Sequence, residues 1–205
     1  AGNGEGLAFL ADESASPTRA RLVASLKQKF PRAIWAEYEP VQDEPPVAAA
    51  QAAFGRNVKP VYRFAAAKRI LSLDADFLHA ESGSLYYARE FAKGRRVTKP
   101  TDPMNRLYVV ESLMTLTGGQ ADHRLRVRPT DVVRVAALVA SKLGVTGELG
   151  VALASLAKGA EAHAAWAEEC AKDLLLKKAE SVVVAGYTQP LAVHLIAAAM
   201  NQTLG

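Results

Sequence analysis

Short apolar runs alternate along the chain with longer stretches in which apolar residues recur every three or four positions. The runs cover residues 7–11, 33–38, 69–74, 107–111 and 181–185. Each has the length of a buried strand, and the stretches between them have helical period, which predicts an α/β fold with a doubly wound, mostly parallel, Rossmann-like sheet and helices on both faces. In the first unit Ser16 can cap a helix whose first position suits Pro17. The apolar residues Leu22, Val23, Leu26 and Phe30 follow at helical spacing, and Pro31 stops the helix before the second strand. An alanine-rich helix over 47–54 ends at Gly55. A loop over 76–84 precedes a helix over 85–93, and a loop over 112–122 precedes residues 124–127, whose alternating arginines suggest a short edge strand. Helices are predicted from Pro129 or Thr130 to Leu143, through 147–178 with a break at Lys158-Gly159, and over 191–204. Pro45-Pro46 and residues 99–103 read as surface turns, and a single domain over 1–205 is the simplest organisation.

Composition narrows the chemistry. The chain has 205 residues, 50% of them hydrophobic, and 25 Lys and Arg against 21 Asp and Glu give a net charge of +4. A chain of this size can bury a core without covalent staples. Its one cysteine, Cys170, excludes an internal disulfide framework, a zinc ribbon or an iron–sulfur cluster held by this chain alone. No apolar stretch reaches the roughly 20 residues of a bilayer span. Residues 1–6 show no targeting segment and no initiator methionine, so the chain is expected to be processed or cut from something longer. The basic residues are spread, and neither Lys93, Arg95, Arg96 and Lys99 nor Arg124, Arg126 and Arg128 interleave with aromatic platforms. A solvated face is the expectation, with no nucleic-acid partner.

Ligands of doubly wound sheets bind beyond the carboxyl ends of the strands, which directs attention to the loops 12–18, 38–42, 74–84, 111–122 and 186–190. The first and last set small or hydroxyl residues at helix starts, where free amides attract phosphate. Neither carries G-x-G-x-x-G or a P-loop lysine, so Ser14, Ser16, Thr18 and Thr188 read first as caps. Asp74 and Asp76 are a carboxylate pair that suits a metal or acid–base work, and equally a turn. His79 and His123 fall on candidate loops, whereas His163 and His194 sit inside helical runs. Cys170, beside Glu168 and Glu169, is a poor nucleophile, and there is no G-x-S-x-G elbow.

Several segments occur in an order that carries a resemblance: Ser16-Pro17-Thr18, Ala33-Ile34-Trp35-Ala36-Glu37-Tyr38-Glu39-Pro40, Phe54-Gly55-Arg56, Ile70-Leu71-Ser72-Leu73-Asp74-Ala75-Asp76-Phe77-Leu78, Tyr87-Ala88-Arg89, Met104-Asn105-Arg106-Leu107-Tyr108-Val109-Val110-Glu111-Ser112, Thr115-Leu116-Thr117-Gly118 and Ala121-Asp122-His123-Arg124-Leu125. Together the chain resembles the molybdopterin-oxidoreductase-like region of the large iron–sulfur subunit of alternative complex III, a bacterial quinol-oxidising membrane complex. The resemblance implies an oxidoreductase parent with iron–sulfur modules absent from this chain. It implies partners among the other modules of that parent and the subunits of a membrane electron-transfer complex, and a place at the periplasmic face of the cytoplasmic membrane without direct insertion.

In catalytic members of that superfamily a loop close to A-D-x-x-(x)-x-R-P-G-T-D holds molybdopterin guanine dinucleotide. Here Ala121-Asp122 precedes Arg128-Pro129-Thr130-Asp131, so Asp131 matches the guanine-contacting position while the glycine before Thr130 is missing. The D-P-R usual after the fourth strand is replaced by Glu111-Ser112-Leu113, which would set a repelling carboxylate against a pyrophosphate. No metal-ligating serine or cysteine is recognisable. The expectation is a non-catalytic scaffold domain without a cofactor of its own. The alternative is a segment of a catalytic molybdopterin oxidoreductase, in which Asp131, Asp122, Thr130, Gly186 and Thr188 hold part of the cofactor. Setting the resemblance aside leaves a free-standing nucleotide-binding module, which the absent glycine fingerprint disfavours.

Overall fold

The computed structural model describes residues 2–40, 44–56 and 58–205, so the end of the loop 38–42 lies outside the described residues. The chain divides into two compact units, Ala1–Gln42 and Asp43–Gly205. In the first, β1 (Ala8–Ala11) and β2 (Ile34–Glu37) pair in parallel around α1 (Pro17–Lys29). Ser16 caps this helix as its sequence predicts, its hydroxyl accepting from the Arg19 amide at 3.4 Å. Leu22 departs from expectation: it is exposed, and the side of α1 that is half-buried runs through Arg19, Val23, Leu26 and Phe30. The apolar runs at 7–11 and 33–38 do form strands, but as a two-stranded sheet separate from the main one. Periodicity reports which faces are apolar and is silent on which strand is the neighbour.

The second unit is the doubly wound α/β body. Strands β3 (Arg69–Leu73), β4 (Arg106–Glu111), β5 (His123–Arg126) and β6 (Ser181–Ala185) form an all-parallel sheet in the order β5-β4-β3-β6. The two central strands are apolar on both sides because both sides are covered. One face, with Leu71, Leu73, Tyr108, Val110 and Val183, packs on α5 (Val132–Lys142), α7 (Ala164–Leu176) and α8 (Leu191–Leu204), with α6 (Gly147–Leu156) adding Leu153. The other, with Ile70, Leu107, Val109 and Val184, takes the aromatic cluster Phe64, Phe77, Tyr87 and Phe91. The Phe64 and Phe77 rings stack at 4.2 Å, and Tyr87 meets Phe64 edge-on at 5.2 Å. Tyr87 and Phe91 come from α3 (Ser84–Lys93), so helices flank both faces.

Three local differences from the sequence reading have plain causes. Pro45 and Pro46 lie in the first turn of α2 (Glu44–Phe54), where the missing amides have no intrahelical acceptor to lose. The loop 112–122 contains a single helical turn, α4 (Leu116–Gly119), capped by the Thr115 hydroxyl accepting from Gly118 N at 2.9 Å. Residues 129–131 form a 3₁₀ turn ahead of α5. The edge strand, the break between α6 and α7, and the final strand and helix lie where the sequence places them.

Candidate functional site

The chain leaves β3 toward α3 on the aromatic face and leaves β6 toward α8 on the opposite face. The carboxyl ends of adjacent strands whose loops diverge in this way are the position where α/β sheets bind ligands, and here the two loops are drawn together by their own side chains. Asp74 ends β3 in the left-handed region at φ 55°, uncommon outside glycine. One of its carboxylate oxygens accepts from Gln189 Nε2 at 2.7 Å, and Glu81 Oε1 accepts from the Tyr187 amide at 3.0 Å. Burial raises the Asp74 carboxyl above its ordinary range and the nearby Glu111 charge adds to this, against the opposing Ser112 amide and Gln189. Glu81 is raised in the same way, by burial first and then by Asp76 and Asp74. Carboxyl groups therefore gather at this end of the sheet, where burial favours their neutral form.

The neighbouring end of β4 is filled by side chains of the protein itself. Glu111, at the carboxyl end of β4, is 1% exposed. Its carboxylate takes Arg124 Nε at 2.5 Å and the Thr115 hydroxyl at 2.7 Å. It also fills the space over α4, since a Cβ on Gly118 would lie 1.7 Å from Glu111 Oε1. Asp76 Oδ1 accepts both the amide and the hydroxyl of Thr117, at 3.0 and 2.8 Å. The Thr115 hydroxyl and the Thr117 amide and hydroxyl, donors that an incoming anion could use, are thus already paired with carboxylates.

The five sequence candidates are not brought together. Thr130 and Asp131 follow β5, while Gly186 and Thr188 follow β6 at the other edge of the sheet, about 14 Å away across three strand spacings. Asp122 precedes β5 and lies at the opposite, amino end. There it accepts the Leu107 amide at 2.7 Å and a two-pronged contact from Arg95 at 2.8 and 2.6 Å. Burial works against its charge, and the Arg95 pair and the amide still hold the carboxyl below the usual range. Asp131 is bound by Arg128 at 2.8 Å and Arg134 at 2.9 Å. The Arg128 contact, followed by the neighbouring positive charges, keeps its carboxyl low. Thr130 and Thr188 are exposed.

Gly186 is required by packing: a Cβ there would sit 2.0 Å from the Asp74 carbonyl oxygen. Gly186→Ala is accordingly expected to cost about 1–3 kcal/mol by forcing the ends of β3 and β6 apart, read as a lower urea midpoint.

His79 follows β3 as anticipated, but His123 starts β5 at the amino edge, where its ring stacks on Tyr108 at 4.7 Å. A parallel strand runs toward the carboxyl edge, so its first residue lies at the far, amino end. His163 closes a 3₁₀ turn and His194 lies within α8. Cys170 is buried, and burial followed by the Asp173 charge pushes its thiol up. Glu168 and Glu169 are not its neighbours in this effect and pair with Lys172 instead.

A polar centre that the sequence reading passed over lies at the amino edge. The Asp173 side chain is 8% exposed and meets Arg69 at 2.6 Å, Arg106 at 2.7 Å and the Tyr108 hydroxyl at 2.9 Å. Burial first, and then Asp173, pushes the Tyr108 phenol up to about 12. The signal available in the sequence is position: Asp173 falls on the helical stripe of Ala167, Cys170, Ala171 and Leu174, the buried side of α7. One carboxylate serves two guanidiniums here, and the arrangement joins β3, β4 and α7.

Among the described residues no group of three or more His, Cys, Asp or Glu side chains is placed to hold a metal ion, and no helix is long and apolar enough to cross a membrane. No known family's sequence model matches the chain, and no curated protein matches it.

Proposed function

We propose that the chain is a scaffold domain of the molybdopterin-oxidoreductase-like kind, carried by the iron–sulfur subunit of an electron-transfer complex at the periplasmic face of a membrane, without a molybdenum cofactor or catalysis of its own. The observation that carries the second half of this reading is the Glu111 carboxylate. A pyrophosphate at the end of β4 would meet a buried carboxylate to which the one adjacent guanidinium, Arg124, is already committed, and would find the Thr115 hydroxyl and the Thr117 amide and hydroxyl taken. Asp131, the match to the guanine-contacting aspartate, has its carboxylate engaged by two arginines. Both arrangements speak against molybdopterin guanine dinucleotide at these residues. The first half draws on the ordered sequence segments and on the doubly wound fold, and fold likeness alone carries no function. The domain's work, in this reading, is to hold surfaces in place for cluster modules and partner subunits.

The reading is tested by purifying the full-length protein from the cells that make it and measuring molybdenum, iron, haem and acid-released guanine nucleotide per chain. Iron and haem that copurify without molybdenum or guanine are the expected result. Molybdenum and guanine near one per chain would establish the cofactor-holding alternative, and a chain free of iron, haem and molybdenum would remove the electron-transfer assignment.

A further inference from the structure

The Asp173 centre at the amino end of the sheet holds more positive charge than negative. One carboxylate meets Arg69 at 2.6 Å and Arg106 at 2.7 Å, and also accepts from the Tyr108 hydroxyl. Among the described residues the second guanidinium therefore has no anion of its own. Arg69 is enclosed, its side chain 15% exposed and its Nη1 donating to the Lys68 carbonyl at 2.9 Å. Arg106 commits Nη1 to Asp173 but is 44% exposed, and a guanidinium carries five N–H donors. The surplus charge and the unused donors are thus at Arg106.

Arg106 lines a groove of about 580 Å³ whose other walls come from β4, β5 and α7, all within the unit of residues 43–205. That volume lies in the range of small-molecule sites, about 300–1,000 Å³. Tyr108 is its floor. The exposed His123 ring stacks on Tyr108 at 4.7 Å, and the half-buried Trp166 ring meets it edge-on at 5.7 Å. Aromatic surface beside a half-open guanidinium suits a flat apolar body with an anionic end. The charges around it limit that end to a single negative charge. Lys172 adds no free cation, since Glu169 and Glu168 hold it at 2.9 and 3.1 Å. A dianion such as phosphate would set its second charge against Asp173 and Glu169, whereas one carboxylate offsets the one surplus cation and matches the planar fork of arginine.

We propose that this groove binds a small aromatic carboxylic acid, with the carboxylate on the Arg106 guanidinium and the ring against His123 and Trp166. The site is at the end of the sheet opposite to the candidate cofactor loops, so it does not rest on the reading of those loops.

The test titrates the 205-residue chain with 2-naphthoate and, as its uncharged counterpart, 2-naphthamide, read by calorimetry and by amide chemical shifts. Saturable binding of the acid is expected, with shifts centred on His123, Trp166 and Leu176, and about tenfold weaker binding of the amide. Arg106→Gln should weaken the acid about tenfold and leave the amide unchanged. Because Arg106 also steadies Asp173, a second pair of variants uses Leu176, which lines the groove and is 77% exposed. Leu176→Glu should weaken the acid several-fold and Leu176→Lys should not, at unchanged melting temperature. No saturable binding up to about 10 mM, equal binding of acid and amide, shifts centred away from the groove, or indifference to the charge at position 176 would each overturn the proposal.

Discussion

Glu111→Ala is expected to lower the unfolding free energy by about 3–5 kcal/mol, the largest effect of any single change considered, because it leaves the Arg124 guanidinium without its partner in a largely buried position. Arg124 is 24% exposed at its side chain, so water offers little compensation. Two further losses point the same way. The Thr115 hydroxyl loses its acceptor, and the space above Gly118 empties. Urea unfolding measures the change as a shift in midpoint at constant slope. Glu111→Leu combined with Arg124→Leu is expected to recover most of the loss, since no charge is then stranded. If the double variant were as unstable as the single one, the destabilisation would come from lost packing rather than from the stranded arginine.

The second large effect is at the other end of the sheet. Asp173→Ala removes the shared acceptor of Arg69, Arg106 and the Tyr108 hydroxyl, and is expected to cost about 3–5 kcal/mol, toward the lower figure because the Arg106 side chain is 44% exposed and keeps part of its hydration. The same group governs behaviour in acid. Burial opposes the charged form of Asp173, yet Arg69, Tyr108 and Arg106 more than offset it and hold the carboxyl below its ordinary value. A carboxyl lower in the folded than in the unfolded chain stabilises the fold above the unfolded value of about 4 and loses that contribution as pH falls through the folded value. The protein should therefore lose stability steeply below about pH 4, and Asp173→Asn should flatten that part of the profile. A profile with unchanged slope in the Asn variant would assign the acid sensitivity to other carboxylates, such as Asp122.

The central strands were legible because a strand buried on both faces is a continuous apolar run, as in Ile70-Leu71 and Leu107 to Val110. Residues 58–68 have no such pattern, although Phe64 is fully buried and is the hub of the aromatic cluster. One aromatic residue in an irregular segment gives periodicity nothing to register. The candidate site was legible in part. The sequence marks Glu111 as an acid where a phosphate-binding arginine would be expected, but whether that acid repels a ligand or fills its place depends on Arg124, thirteen residues away and brought alongside by the pairing of β4 with β5. Asp122 and Asp131 lie nine positions apart in sequence and at opposite ends of β5 in space, a separation invisible until the strand between them is placed.

A calorimetric and thermal titration with GMP, GDP and molybdopterin guanine dinucleotide asks whether the protein's own carboxylates close the strand ends. A ligand at a hundred times its dissociation constant would add about 2.7 kcal/mol of stability. No saturable heat and no shift in melting temperature is expected with any of the three. Saturable binding that disappears in Asp131→Ala would contradict that closure and identify the chain as a segment that holds the cofactor.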